Sequence, residues 1–331
     1  MAQRSGSIDG QQSIFSNLDE YAEGEDEYNQ WKRNLRLWKD NLAEQWAILT
    51  QDTMVVAAIG TLSFFVLIAV FAPFLAPFNP TERLYQEGGV LISKWMEPAF
   101  LGGPDKYLMG TTAEGYDIFS QLIYGTRPAL IVGFVAATLT VCIGTIIGLM
   151  AGYFGGYIDD LLMRLVDFVY GMPLLPTVIV LVAILGPSFT NVIFALILIQ
   201  WRTSARVIRS QVLSLRERPF VQAAKVSGAS DWRIITRHIA PNVLPLSFLY
   251  AAFAIAWAIL TEAGVSFLGL GDPSQISWGV MLQNARTYSA VVEGAWWWFV
   301  PPGICISLVV ISGFLIGRGY EEIVNPELQI E

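Results

Sequence analysis

The chain has 331 residues, of which 54% are hydrophobic and only 15% are charged, and its formal net charge is -8. Soluble domains carry about 25% charged residues, so this composition argues against an ordinary soluble protein. Two cysteines and one histidine are too few for a disulfide framework or for a zinc site, which needs about four ligands. We therefore expect a membrane protein without a metal or other cofactor.

The N-terminal segment 1–53 is polar and lacks the basic start and short apolar core of a secretory signal. We interpret residues 1–30 as a disordered acidic cytosolic tail, because low hydrophobicity and high charge cannot offset the entropy of ordering. In residues 31–53, tryptophans and leucines alternate with lysines and arginines. This pattern predicts an amphipathic interfacial helix on the membrane surface, with an ordinary solvated helix as the alternative.

Apolar runs that suit membrane-spanning helices follow, since a helix needs about 20 apolar residues to cross a bilayer. The first span is predicted at 54–76 and is followed by a polar extracytoplasmic loop over 77–128. Five further helices are expected within residues 129–317, and residues 318–331 form a cytosolic C-terminal tail. The apolar runs in this core are 129–152, 161–201, 243–268 and 296–317. Glycines at four-residue spacing in the first of these predict close helix packing.

The run 161–201 is too long for one span. A single helix of this length would extend roughly 60 Å, about twice the thickness of the hydrocarbon core. A turn at residues 186–188 (Gly-Pro-Ser) divides the run into two helices, and Pro173 and Pro176 are expected to kink the first. The chain then has six spans.

Charge supports this count and orients the chain. The segment 202–237 holds seven arginines and one lysine, against Glu217 and Asp231 as the acidic residues. Basic loops remain on the cytosolic side of a membrane. With a cytosolic N terminus, four preceding spans place the loop 202–242 in the cytosol, whereas three would export it. The predicted fold is an all-α bundle of six transmembrane helices with both termini cytosolic.

The cytosolic loop is predicted to contain two short helices. Residues 219–226 are helix-prone, and Gly228 can end that helix in a left-handed conformation. Ser230 can cap a second helix through its hydroxyl. That helix is expected to begin at Asp231 and to end near residue 239, before Pro241.

The loop carries the pattern Gln-Ala-Ala-x3-Gly-x12-Pro, from Gln222 to Pro241, and resembles the EAA loop of permeases in binding-protein-dependent ABC importers. Other segments resemble the second permease subunit of dipeptide/oligopeptide importers, and the resemblance covers roughly residues 50–325. These segments are 109–127, 152–167, 220–245 and 261–271. Two positions depart from the family pattern, since Gln222 replaces the usual Glu and Ala240 replaces the usual Leu.

The resemblance implies an ATP-driven importer in the cell membrane. This chain would form half of the pore with a second homologous permease subunit, above two ABC ATPase subunits and beneath an extracytoplasmic substrate-binding protein. Its only other partner would be the lipid bilayer, with no role for nucleic acid. The cargo would be peptides, although nickel, glutathione and oligosaccharides use similar permeases.

Coupling to the ATPase would run through the EAA-like loop. The residues implied are Gln222, Ala223, Ala224, Gly228, Ala229, Ser230, Asp231, Arg233 and Pro241. The sequence contains no G-x4-G-K-[ST] phosphate loop, so we expect no ATP hydrolysis by that route and no catalytic residues. The permease would not be an enzyme.

Acidic residues in the apolar runs are candidate pore or structural groups. Glu262 lies inside the fifth span, where a carboxylate is costly, and a structural role is the favoured interpretation. Asp167 lies three residues from Arg164 and is expected to form a local helical pair with it. Asp159 and Asp160 are expected to be solvated at a cytosolic turn.

Two alternative functions belong to other classes of membrane protein. A self-sufficient secondary transporter often shows two related halves, but no clear internal repeat is present here. A membrane enzyme would need clustered catalytic groups, whereas the single histidine, His238, lies in the cytosolic loop.

Overall fold

The computed structural model describes residues 49–84 and 95–324. The predicted acidic tail, most of the predicted amphipathic helix and the last residues of the C-terminal tail lie outside these ranges. Helices dominate the described residues, which contain no strand beyond an isolated bridge between Thr111 and Asp117. The helices are α1 (Thr53–Leu75), α2 (Ile118–Phe154), α3 (Gly156–Tyr170), α4 (Leu174–Leu185), α5 (Phe189–Arg216), α6 (Pro219–Val226), α7 (Asp231–Leu270), α8 (Trp278–Thr287) and α9 (Trp296–Val324), with a short 3-10 turn at Ala99–Leu101.

Five of these helices, α1, α2, α5, α7 and α9, are long and apolar enough to cross a membrane. The α3 and α4 helices meet the same criterion only together, and they bend by 86° where they join. The described chain therefore has five spans, or six if the bent pair counts as one. The predicted all-α membrane bundle is confirmed.

The third predicted span is broken rather than kinked. Tyr170 ends α3 and Pro173 precedes the first residue of α4. Carbonyl groups at such a break lose their helical partners, and Arg202 of α5 supplies replacements. Its Nη1 donates to the carbonyls of Val169 at 2.8 Å and Met172 at 3.2 Å. This contact between distant residues stabilises a break that prolines alone do not predict.

The predicted division at residues 186–188 is confirmed, since α4 ends at Leu185 and α5 begins at Phe189. Asp272 holds this turn by accepting hydrogen bonds from the Phe189 backbone N–H at 3.1 Å and from the Ser274 hydroxyl at 2.6 Å. The hydrogen bond from Ser274 lowers the pKa of the Asp272 carboxyl. The turn after α7 is thereby tied to the turn between α4 and α5.

The second helix begins earlier than its apolar run. The run starts at residue 129, but α2 starts at Ile118, because Asp117 caps it by accepting from the Ser120 backbone N–H at 2.7 Å. Residues 118–128, which we expected in the outer loop, are therefore helical. Pro128 does not interrupt this helix.

Glycines bring α2 and α5 into direct contact, as their spacing predicts. A Cβ added to Gly144 would lie 2.6 Å from the Trp201 carbonyl oxygen. At Gly148 it would lie 2.7 Å from the Ala205 carbonyl oxygen. Helices approach this closely only where one of them carries no side chain, so the glycines allow α2 and α5 to pack directly against each other at the centre of the bundle.

A proline in α1 creates a second interhelical tie. Pro73 lacks an N–H, so the carbonyl of Ala69, four residues earlier, has no helical donor. The Arg127 side chain of α2 donates to that carbonyl through Nε at 2.6 Å. The first span is thus joined to α2 by a hydrogen bond that replaces the missing one.

The predicted end of the loop helix before Pro241 is wrong. The helix that begins at Asp231 passes through a π-helical turn at Ile235–Ile239 and continues through Pro241 to Leu270. A proline inside an α-helix clashes with the carbonyl four residues earlier, and a wider π turn gives room there. Residues 202–216 are likewise the last turns of α5, so the connector between α5 and α7 is much shorter than the predicted loop.

Candidate functional site

The connector folds as a hairpin of α6 and the first turn of α7, residues 219–234, called here the α6–α7 hairpin. Pro219 occupies the first turn of α6, where its missing N–H has no cost. The helix ends at a left-handed Gly228, with φ of +78°. The Ala229 N–H donates to the Ala224 carbonyl at 3.1 Å, and the Gly228 N–H donates to the Lys225 carbonyl at 3.0 Å. This pair of bonds is a Schellman motif, and it confirms the turn expected at Gly228.

Open space surrounds Gly228. A Cβ added there would meet no atom of the described residues within 4 Å. The requirement for glycine within this chain therefore comes from its positive φ, which costs other residues about 1–2 kcal/mol, and not from a neighbouring side chain.

Polar contacts fix the hairpin to the end of α2. Ser230 caps α7 as predicted, by accepting from the Arg233 backbone N–H at 3.4 Å. The neighbouring Asp231 accepts from the Tyr153 hydroxyl at 2.6 Å. The Lys225 ammonium lies 5.2 Å from the centre of the same tyrosine ring. Tyr153 therefore contacts both helices of the hairpin.

An apolar underside anchors the hairpin to the bundle. Val221 of α6 and Ile234 of α7 are fully buried. They belong to a cluster with Ile208 and Val212 of α5 and with Ile239. Since each helix of the hairpin places a buried side chain in this cluster, the hairpin and the ends of α2, α5 and α7 form one packed unit.

The opposite surface of the hairpin exposes large apolar side chains. Val226 is 90% exposed and Trp232 is 75% exposed, on either side of the Gly228 turn, while Phe220 is 43% exposed. Exposed apolar groups within a basic, polar region are typical of a protein interface. Sequence reasoning missed these residues because it emphasised the small ones. The signal available was a valine and a tryptophan flanking a turn of Ala, Gly and Ser.

The remaining predicted residues lie on or beside this surface. Gln222 is exposed and donates through Nε2 to the Arg216 carbonyl at 3.0 Å, a contact within the chain that leaves its carbonyl oxygen available. Ala223 and Arg233 are exposed, whereas Ala224 and Ala229 are partly buried under the turn. Pro241 is exposed further along α7. The structure thus gathers the predicted set, with Pro241 outside the hairpin.

Two predictions about acidic residues on α3 are wrong. Asp159 is not solvated but buried, and its two carboxylate oxygens accept from Nε and Nη2 of Arg209, both at 2.5 Å. Asp167 forms an ion pair with Arg206 of α5 and not with Arg164. Both partners are distant in the sequence, so spacing along α3 could not identify them.

Glu262 is 4% exposed and lies away from the hairpin. Its Oε1 accepts from the Ser266 hydroxyl at 2.7 Å and from the Ser277 hydroxyl at 3.0 Å. Ser277 also caps α8. The contacts join the end of α7 to the start of α8, which favours the structural role for Glu262.

Comparisons with known proteins assign the family. The family described as "Binding-protein-dependent transport system inner membrane component" matches residues 144–329. The "N-terminal TM domain of oligopeptide transport permease C" matches residues 38–88. Together these matches include the first span and most of the bundle.

Individual relatives agree. The chain is 35% identical over 292 residues to the dipeptide transport system permease protein DppC of Alkalihalophilus pseudofirmus, covering 86% of this chain and 90% of that protein. It is 34% identical over 276 residues to the di/tripeptide transport system permease protein DppC of Pseudomonas aeruginosa, covering 82% and 88% respectively. Among solved structures, the MetNI methionine ABC transporter in inward-facing conformations aligns with a TM-score of 0.46 and 19% identity over 62% of this chain and 95% of that one.

The family match covers more than half of the chain, and it agrees with the helical membrane bundle described above. The chain therefore belongs to the inner membrane components of binding-protein-dependent transport systems and is a permease subunit of an ABC importer.

Proposed function

We propose that this permease is driven by a cytosolic ATPase that docks on the α6–α7 hairpin. The observation that carries the proposal is the exposed pair Val226 and Trp232 on a hairpin whose other side is packed into the bundle. Apolar side chains held on a rigid support can enter a groove with little loss of conformational entropy. The small residues Ala223 and Gly228 allow the ATPase to approach the backbone of the hairpin closely.

The contacts of the hairpin provide a route for force. When the two ATPase subunits close on ATP, each draws its hairpin with it. The Tyr153–Asp231 hydrogen bond carries the displacement to α2. The buried cluster around Val221 and Ile234 carries it to α5, and α7 is covalently continuous with the hairpin. A rigid shift of these three helices would alternate the pore between inward-open and outward-open states.

The complete machine would contain a second homologous permease, two ATPase subunits and an extracytoplasmic substrate-binding protein. With the basic hairpin in the cytosol, both termini of this chain are cytosolic. Peptides are the proposed cargo, because the relatives are named for dipeptide and di/tripeptide transport. Nickel, glutathione or oligosaccharides remain the alternative cargoes for this type of permease.

Peptide uptake into proteoliposomes containing the full transporter tests the proposal. A Val226→Asp substitution places a charge at the centre of the docking surface without touching the buried cluster. We expect peptide uptake to fall by about tenfold or more, since burying an unpaired charge costs several kcal/mol. The variant should still insert and pair with the second permease.

Val292→Asp is the matched control. Val292 is 86% exposed, close to the value for Val226, but it follows α8, which packs against the other end of α7. This control should retain ATP-driven uptake. Normal uptake by Val226→Asp would contradict docking at the hairpin, and uptake by this permease without ATPase subunits would contradict the importer mechanism as a whole.

A further inference from the structure

A cavity of about 380 Å³ that opens to the surface lies between helices of the bundle, away from the α6–α7 hairpin. Ligand pockets usually have volumes of roughly 300–1,000 Å³. Residues of α2, α4, α5, α7 and α9 line the cavity, and the described lining contains no Asp or Glu. The polar lining includes Thr140, Gln200, Arg202 and Tyr250, and aromatic walls come from Phe253 and Trp257.

Two side chains that line this cavity carry a buried polar atom without a hydrogen-bond partner among the described residues. Thr140 is 2% exposed, and its Oγ1 makes no hydrogen bond to any residue that the structure describes. The same holds for the buried Nε2 of Gln200. Buried polar atoms without partners are uncommon in folded proteins, and each calls for an explanation. Both atoms belong to side chains that line one cavity, so a polar ligand there would account for both.

Arg202 adds an unbalanced charge. Four arginines lie along α5, and three of them form ion pairs, Arg206 with Asp167, Arg209 with Asp159 and Arg216 with Glu217. Within the described ranges no ion pair joins Arg202 to a carboxylate. Nη1 of Arg202 donates to two backbone carbonyls, and the guanidinium lies 5.0 Å from the centre of the Tyr170 ring. The arginine without a carboxylate is the one that lines the cavity.

Arg202 lies within a helix that can span the membrane, and a charged side chain in such a helix is costly unless it faces water or a partner. Thr203, the next residue on α5, also lines the cavity and is exposed. A lipid-facing surface would not carry three polar side chains within four residues, as α5 does at Gln200, Arg202 and Thr203. This face of α5 therefore fits a water-filled path better than a contact with acyl chains.

We propose that the cavity is a binding site for the carboxylate end of a small transported solute, with Arg202 as the cationic anchor. The Gln200 amide and the Thr140 hydroxyl donate further hydrogen bonds to the carboxylate, and the aromatic walls pack against its apolar portion. The site would hold cargo inside one permease subunit during transfer. The inference rests on the proposed transport of peptides and names the group that the permease itself recognises.

Protection of an engineered thiol tests the proposal. The Thr203→Cys substitution is made in a Cys142→Ala/Cys305→Ala background, in the complete transporter in nanodiscs with cysteine-free partner subunits. The binding protein and ATP are omitted, so only the permease pathway can bind solute. The rate of reaction with a membrane-impermeant anionic methanethiosulfonate is measured with L-alanyl-L-alanine and with its C-terminal amide.

We expect the thiol to react and L-alanyl-L-alanine to slow the reaction, while the amide gives little protection. Arg202→Gln should raise the dipeptide concentration for half-protection by about tenfold or more, as expected for loss of a charge-assisted hydrogen bond. Gln200→Leu removes an amide whose buried Nε2 has no hydrogen-bond partner in the part of the chain that the structure describes, and it should weaken protection without disturbing the break between α3 and α4. Arg206→Gln, which removes an arginine that does not line the cavity, should leave protection unchanged.

Equal protection by the dipeptide and its amide, or full protection in both Arg202→Gln and Gln200→Leu, would overturn the carboxylate site. A Leu198→Cys control, on another face of α5, is expected to react only with membrane-permeant N-ethylmaleimide. The same result for the Thr203→Cys thiol would show that the cavity faces lipid and would also overturn the carboxylate site. The assay needs no ATP turnover. If the dipeptide does not protect the thiol while ATP-driven peptide uptake is normal, the carboxylate site alone is rejected. If the dipeptide protects the thiol while such uptake is absent, only coupling to the ATPase is rejected.

Discussion

At the residue scale, arginines on α5 hold α3 in place through contacts of three kinds. Arg202 donates to backbone carbonyls at the α3–α4 break, Arg206 forms an exposed ion pair, and Arg209 forms a partly buried one. Charge counting treats these residues only as a mark of the cytosolic side. The contacts show that they also position a helix that cannot cross the membrane alone.

The Arg209–Asp159 pair should be the strongest of these ion pairs. Its side chains are 30% and 13% exposed, against 49% and 65% for Arg206–Asp167. Asp159→Asn removes the charge but keeps the shape of the side chain. Breaking a fully buried pair costs about 3–5 kcal/mol and exposed pairs contribute under about 1 kcal/mol, so we expect the free energy of unfolding to fall by about 1–3 kcal/mol.

Thermal unfolding of the purified permease in detergent measures this effect. Asp160→Asn serves as the matched control, because Asp160 is exposed and adjacent on the same helix. The midpoint should fall clearly for Asp159→Asn and hardly at all for Asp160→Asn. Equal midpoints for the two variants would show that the ion pair does not stabilise the fold.

At the element scale, the contact between α2 and α5 depends on the absence of side chains at Gly144, Gly148 and Gly152. At Gly152 a Cβ would lie 2.7 Å from the Cβ of Val212, so the contact continues to the cytosolic end proposed for these helices. Because the α6–α7 hairpin packs on the same end of α5, this contact also determines where the hairpin lies.

Gly148→Leu should therefore separate α2 from α5. Overpacking a core typically costs about 1–3 kcal/mol, and here the obstacle is the Ala205 backbone, which cannot rotate away. We expect a lower unfolding midpoint and loss of the monodisperse complex with the second permease on size-exclusion chromatography. Gly60→Leu should be tolerated, because an added Cβ at this helical glycine meets no atom of residues 49–84 and 95–324 within 4 Å. Equal behaviour of the two variants would argue against close packing at Gly148.

Features with local causes could be predicted from the sequence. The Gly186 turn, the left-handed Gly228 and the Ser230 cap each depend on one residue and its neighbours, and each lies where its signal placed it. The spacing of glycines likewise identified the α2 face that packs on α5.

Features with distant causes could not be predicted. The break at Tyr170 depends on Arg202, and the ion pair of Asp159 depends on Arg209. The α7 helix continues through Pro241 because of a π turn, which no periodicity in the sequence indicates. In the candidate site, the small residues were found by resemblance, whereas Val226 and Trp232 required knowledge of which side of the hairpin is buried.

At the scale of the whole molecule, the permease combines a packed bundle with one exposed apolar hairpin. The hairpin lies at one end of α7, and the Glu262 contacts to α8 lie at the other. A helix of 40 residues joins the two ends. In the proposed mechanism, the ATPase moves the hairpin, and the cavity lined by Arg202 lies along the helices that move with it, α2, α5 and α7.

Site-specific photocrosslinking at Trp232 tests the central claim most directly. The photoreactive residue p-benzoylphenylalanine replaces Trp232 in the assembled transporter, and a matched variant carries it at Phe100, an aromatic residue that is 63% exposed in the 3-10 turn before α2. We predict that Trp232 crosslinks to an ATPase subunit in good yield and that Phe100 does not. Crosslinking of Trp232 to lipid alone, or to the ATPase no more than Phe100 does, would contradict docking of the motor on the hairpin.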